Sequence, residues 1–151
     1  AAVTGRLVAS SQTDIGARAF NSAAISITNN STTALTFDSE RWDTDTIHST
    51  VTNTGRLTAT TAGKYVISAH ILWAANTTGL RRLQIQLNAL TNIAIQEIPA
   101  AASATYMSVA TIYNLIAGDF LEIRVFQDSG GALNVSAEAA DSPEFAMQKI
   151  G

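Results

Sequence analysis

The chain has no cysteine, only 2 prolines, 2 methionines and 2 histidines among 151 residues, and a charged fraction of just 14%. The missing thiols exclude disulfide staples, thiol catalysis and thiolate metal sites together, so stability has to come from packing. With a net charge of −3 there is no basic stripe for phosphate, which argues against a nucleic-acid partner. No run reaches the roughly 18 to 20 apolar residues of a membrane-crossing helix, and no membrane insertion is expected. The opening Ala1-Ala-Val-Thr-Gly-Arg-Leu-Val8 lacks the charged and apolar regions of a secretion signal. What is abundant is apolar and small: 46% of residues are hydrophobic, enough for a single globular domain whose sparse charge favours association.

The longest strand-like stretch is Thr61 to Ala75. Tyr65, Ile67, Ala69, Ile71 and Trp73 fall on one face, Lys64, Val66, Ser68, His70 and Leu72 on the other, and the β-branched and aromatic content suits a strand. Because the second face carries Val66 and Leu72, it too is expected to meet a partner surface.

Residues 1 to 16 mix small and polar types without a sustained period and read as an N-terminal arm or tether. From Ala17 the pattern becomes short strands: 17 to 20, 24 to 28, 34 to 37, weakly 47 to 51, then 56 to 59 before the long strand. Arg82 to Asn88, Asn92 to Gln96, Tyr106 to Leu115, Phe120 to Gln127, Leu133 to Ala137 and Glu144 to Ile150 follow it. Asn76 to Gly79 reads as a loop, Ala100 to Ala104 as a small-residue connector, and Arg41 to Asp45 as a segment placing Trp42 beside Asp43. About ten strands with short, turn-rich connections predict an all-β, antiparallel sandwich. Its core is expected to hold Tyr65, Ile67, Leu83, Ile85, Leu87, Leu121, Ile123 and Val125.

The pieces Ala17-Arg-Ala-Phe20, Phe37-Asp38, Trp42-Asp43, Thr54-Gly-Arg-Leu-Thr-Ala59, Ala62-Gly-Lys-Tyr65, Leu115-Ile-Ala-Gly-Asp-Phe-Leu-Glu122 and the terminal Phe145 to Gly151 resemble, in order and spacing, the complement C1q and tumour necrosis factor-like head domain. The likeness spans residues 17 to 151. It implies a ten-strand jelly roll that assembles as a compact homotrimer, with first and last strands adjacent at the base. The collagen-like stalk of many members has no counterpart here, and the cysteine-free, Ala- and Thr-rich composition is closer to bacterial and bacteriophage representatives.

Enzymatic chemistry has little support. His48 and His70 stand 22 positions apart without a metal-binding or triad spacing, so the chain is expected not to be an enzyme. Both read as structural: His48 as a polar strand or loop residue, His70 as a packed one. Asp43 and Asp45 are weak calcium candidates, set against a solvated or turn-capping role, and no other cofactor is expected. Trp73 belongs to the core, whereas Trp42 is a weak candidate for a sugar platform, with a core position as the simpler reading. The four Asn-x-Ser/Thr sequons, at Asn29, Asn30, Asn76 and Asn134, are read as chance in so Thr-rich a chain.

A comparison of strands supplies the sharper expectation. The segments 82 to 88, 92 to 96 and 120 to 127 place mainly polar residues opposite their core face, as a solvated sheet would, so Gln84→Asp should be neutral. The second faces of 64 to 75 and 106 to 115 carry Val66, Ser68, His70, Leu72, Ala110 and Ile112, the expected trimer interface, with three copies of His70 near one axis and Leu72→Asp or Ile112→Asp disruptive. The expected function is a homotrimeric surface protein that decorates or stabilises a virion or cell-surface structure. The arm would attach it to a capsid, stalk or surface protein, and the head would bind a receptor. The alternative is a secreted ligand- or carbohydrate-binding head. Either reading places the chain outside the cell or on a virion surface.

Overall fold

The computed structural model describes residues 13–151, and all its strand pairings are antiparallel. The strands are β1 (Gly16–Phe20), β2 (Ile25–Ile27), β3 (Thr33–Ala34), β4 (Ser39–Asp43), β5 (Arg56–Thr58), β6 (Gly63–Trp73), β7 (Asn76–Leu87), β8 (Thr91–Ala101), β9 (Thr105–Leu115), β10 (Phe120–Gln127), β11 (Leu133–Ser136) and β12 (Glu144–Lys149). They form a seven-stranded sheet in the order β2-β11-β6-β12-β1-β4, with β9 also on β6, and a five-stranded sheet in the order β3-β10-β7-β8, with β5 also on β10. The architecture is a jelly-roll sandwich, as expected.

Strand β6 organises one sheet because its 11 residues exceed the length of any partner on its second edge. It pairs with β9 along its whole length on one side, and with β12 and then β11 on the other. Strand β10 plays the same part opposite, pairing with β7 on one side and with β5 and then β3 on the other. Between the sheets, Tyr65, Ile67, Ala69, Ile71 and Trp73 of β6 meet Leu83, Ile85, Leu121, Ile123 and Val125, all of them 0% exposed. Leu87 is only partly buried at the margin of this core.

Several boundaries differ from the sequence reading, for identifiable reasons. Ile47 to Val51 is not a strand: the Asp43 carboxylate takes the N–H groups of Asp45, Ile47 and His48, which coils the chain instead. The segment before it, Ser39–Asp43, which the sequence reading did not assign to a strand, is β4. The expected loop at Asn76 is the start of β7, interrupted by a register shift that encloses Gly79; this glycine has φ +76°, and the next N–H, of Leu80, bonds the Asp128 carboxylate at 2.6 Å. Strand β8 likewise runs on to Ala101, into the expected connector.

The arm boundary also moves. Gly16 already pairs with Gln148, the Lys149 N–H donates to the Ile15 carbonyl at 2.8 Å, and Ile15 is 8% exposed in the core. The domain therefore includes Ile15 and Gly16, and the remainder of the expected arm, residues 1–12, lies outside the described residues. Strands β1 and β12 lie side by side, which puts Asp14 and Gly151 at the same end of the sandwich.

Candidate functional site

Two outer faces are left once the core is closed, and they differ in chemistry. On the five-stranded sheet, Glu122 accepts from Arg56 Nε at 3.0 Å and from Arg124 at 2.8 Å, while Arg82 pairs with Glu97 at 2.7 Å. The guanidinium groups of Arg56 and Arg82 also lie over the rings of Phe120 and Phe126, at 3.9 and 5.0 Å from their centroids, so these two rings are roofed by charge, whereas Ile95 of β8, opposite Gln84, is 56% exposed. Gln84 is the exception to the solvated pattern: beneath these long side chains it is only 5% exposed and donates to Asn92 Oδ1 at 3.0 Å. The expectation that Gln84→Asp is neutral is accordingly withdrawn, since it would bury a charge and lose an amide donor.

On the seven-stranded sheet the registers bring the residues singled out from sequence into one field. Val66 stands opposite Ile112, Ser68 opposite Ala110 and His70 opposite Ser108 across β6 and β9. On the other flank of β6, Gln148, Ala146 and Glu144 of β12 stand opposite Val66, Ser68 and His70. Val66 is 39% exposed, Ile112 60% and Tyr106 62%, so three large apolar or aromatic side chains of this face stand in water in the single chain. Lys64 is the charged residue of the β6 and β9 faces.

Leu72 departs from the expectation. It is 6% exposed within its own chain, because the loop before β12 crosses over it and the Ser142 hydroxyl accepts the Leu72 N–H at 2.8 Å. It therefore leaves little surface for a partner. Tyr106, its partner in register, takes the exposed place instead. His70, expected as packed, is exposed and lines a cavity of about 380 Å³ with Tyr106, Met107, Ser108 and Asp141.

Beside this field lies a group that sequence reasoning missed. Glu144, 3% exposed, accepts from Arg18 Nε at 2.7 Å and from Arg41 at 2.7 Å. The same two guanidinium groups donate to the Ala140 and Ala139 carbonyls at 3.0 and 2.6 Å, tying the loop before β12 to β1 and β4. The partners are 126 and 103 positions apart, and no local spacing signals such a cluster.

The remaining candidates resolve into structural roles. Asp43 Oδ1 accepts from the N–H groups of Asp45 and Ile47 at 3.1 and 3.0 Å, and Oδ2 from that of His48 at 2.8 Å. Asp45 Oδ2 accepts from the Thr61 hydroxyl at 2.9 Å. The Asp43 oxygens face backbone N–H groups, which favours the turn-capping role over a calcium ligand, and among the described residues no three His, Asp or Glu side chains converge. His48 is a buried loop residue whose ring bridges Glu40 Oε1 and the Thr54 carbonyl, each at 2.9 Å. Trp73 is fully buried, but Trp42 is 45% exposed on β4 opposite Arg18, where the edge position leaves its ring uncovered, against the simpler core reading.

Two antiparallel sheets packed as a jelly-roll sandwich have the tumour necrosis factor or C1q-like head fold. Solved structures agree. Eiger TNF from S. frugiperda has a TM-score of 0.64 at 16% identity, over 93% of this chain and 94% of that chain. Murine APRIL has a TM-score of 0.66 at 8% identity, over 91% of this chain and 99% of that chain. At such identities the likeness is one of fold. No protein-family model and no curated protein matches the chain.

Proposed function

We propose that the chain is a non-enzymatic, homotrimeric head that displays a binding surface outside the cell or on a virion, carried by a capsid, stalk or surface protein through its N-terminal segment. The observation that carries this reading is the contrast between the two outer faces. One carries the ion pairs of Arg56, Arg124 and Arg82 and exposes Ile95 as its one large apolar strand residue among those described, whereas the other exposes Val66, Ile112 and Tyr106 around the small Ser68 and Ala110. Such a face is stabilised by meeting copies of itself. The fold shared with Eiger TNF and murine APRIL supports a ligand-like rather than a catalytic role. Among the described residues no helix is long and apolar enough to cross a membrane. A secreted carbohydrate-binding head is the second reading, favoured by the exposed ring of Trp42.

The test is sedimentation of the wild type beside Ile112→Asp, Val66→Asp and Thr91→Asp, the last an exposed position on β8 of the other sheet. The expected result is a trimer for the wild type and Thr91→Asp, and dissociation for the other two, each of which would bury an unpaired charge in every subunit. A wild-type monomer at micromolar concentration, or a trimer indifferent to Ile112→Asp, sinks the proposal.

A further inference from the structure

On the five-stranded side, away from the proposed trimer face, the segment between β4 and β5 is held in place by a set of hydrogen bonds. Asp43 caps it with three backbone bonds, His48 is buried inside it and reaches the Thr54 carbonyl at 2.9 Å, the Phe37 N–H bonds that same carbonyl at 3.0 Å, and Arg56 N–H closes on Asn53 at 2.9 Å. Yet this scaffold presents Val51 at 87% exposure. Val51 borders a cavity of about 330 Å³, whose walls include Thr36, Asn53, Thr54, Arg56 and Glu122. A rigid loop that keeps a large apolar side chain in water beside a cavity has the form of a recognition loop.

The charge in the cavity is oriented. Arg56 is fixed from two sides, its Nε on Glu122 at 3.0 Å and its plane over Phe120 at 3.9 Å, and among the described residues its Nη groups have no hydrogen-bond acceptor. Glu122 would repel an anion by itself, but Arg124 holds its other oxygen at 2.8 Å, so two guanidinium groups face one carboxylate and the cluster carries a net positive charge in an acidic chain. A guanidinium with free, aligned Nη donors selects a planar carboxylate. The hydroxyls of Thr36 and Thr54 and the amide of Asn53 suit the hydroxyls of a sugar, Val51 suits an apolar substituent, and the cavity is of a size for one ring.

We propose that this cavity binds a carboxylated sugar, the sialic or uronic acid end of a glycan, through Arg56, with Val51 as its apolar contact. The proposal rests on the reading of the chain as a binding head and supplies the ligand class. Its Arg56 and Glu122 stand on β5 and β10 of the five-stranded sheet, not on the face proposed for assembly.

The test is saturation-transfer NMR and titration of the full chain with the methyl glycosides of N-acetylneuraminic acid and of glucuronic acid, and with neutral methyl glucoside, at low and high salt. Binding of one or both acids and not of the neutral sugar is expected, weakening as salt rises. Arg56→Gln should weaken it about ten- to hundredfold. Because Arg56→Gln removes a partner of Glu122, Val51→Asp serves as the second variant: at so exposed a position it leaves folding intact and places a repelling charge at the mouth. No acid binding at millimolar concentration, equal binding of the neutral sugar, or unchanged binding in Val51→Asp overturns the proposal. A trimer that ignores acidic sugars refutes this site alone, whereas a monomer that binds them refutes the trimeric reading alone.

Discussion

At the scale of single residues, the strongest constraints are two carboxylates that sequence patterns treat as ordinary surface charges. Glu144 is buried and held by Arg18 and Arg41, whose side chains are 29% and 31% exposed. Glu144→Ala should therefore cost roughly 2 to 3 kcal/mol in urea unfolding, below the full penalty of breaking a buried pair, because both arginines still reach water. Asp43 saturates three backbone N–H groups, and Asp43→Ala should lower stability by about 1 to 3 kcal/mol. If Asp43 is a loop cap rather than a calcium ligand, the wild-type melting temperature is the same in millimolar Ca²⁺ and in chelator, since a bound ion would raise it. A calcium-dependent rise would restore the ligand reading.

At the scale of elements, the start of β1 and the β7–β8 turn decide how much of the chain the fold requires. A truncation beginning at Thr13 should unfold at the same urea concentration as the full chain. One beginning at Ala17 loses the buried Ile15 and the pairing of Gly16 with Gln148, and should lose about 2 to 3 kcal/mol. Equal stability of the two truncations would return the boundary to residue 17. In the β7–β8 turn, between the paired Leu87 and Thr91, Asn88 and Ala89 both have positive φ, 51° and 56°, and the Leu90 N–H closes on the Leu87 carbonyl at 3.0 Å. Asn tolerates this conformation and Ala does not, so Ala89→Gly should raise stability by about 0.5 to 1 kcal/mol despite the greater freedom of the unfolded chain.

At the scale of the whole molecule, the proposed assembly through the exposed field around Val66 and Ile112 would tie stability to protein concentration. If the head is a trimer, its melting temperature rises with protein concentration, because association favours the folded state by mass action. Ile112→Asp should abolish that dependence while leaving a β-sheet circular dichroism spectrum, for Ile112 is 60% exposed in the single chain and contributes little to its core. A concentration-independent wild-type melting curve would count against assembly through this face.

The alternation along β6, β7, β9 and β10 determined the sandwich from sequence, because a period of two on a long strand leaves one assignment of faces, and the core residues Tyr65, Ile67, Leu83, Ile85, Leu121, Ile123 and Val125 followed from it. The contrast between the second faces of β6 and β9 and those of β7 and β10 was legible for the same reason. Tertiary structure alone decided what depends on meeting across the chain: that Leu72 is covered by the Ser142 loop, that Gln84 is buried under long neighbours, and that Arg18 and Arg41 converge on Glu144. Tertiary structure also turned Ile47 to Val51 into a pinned loop, since capture of three N–H groups by the Asp43 carboxylate is a matter of geometry that no hydrophobic period encodes.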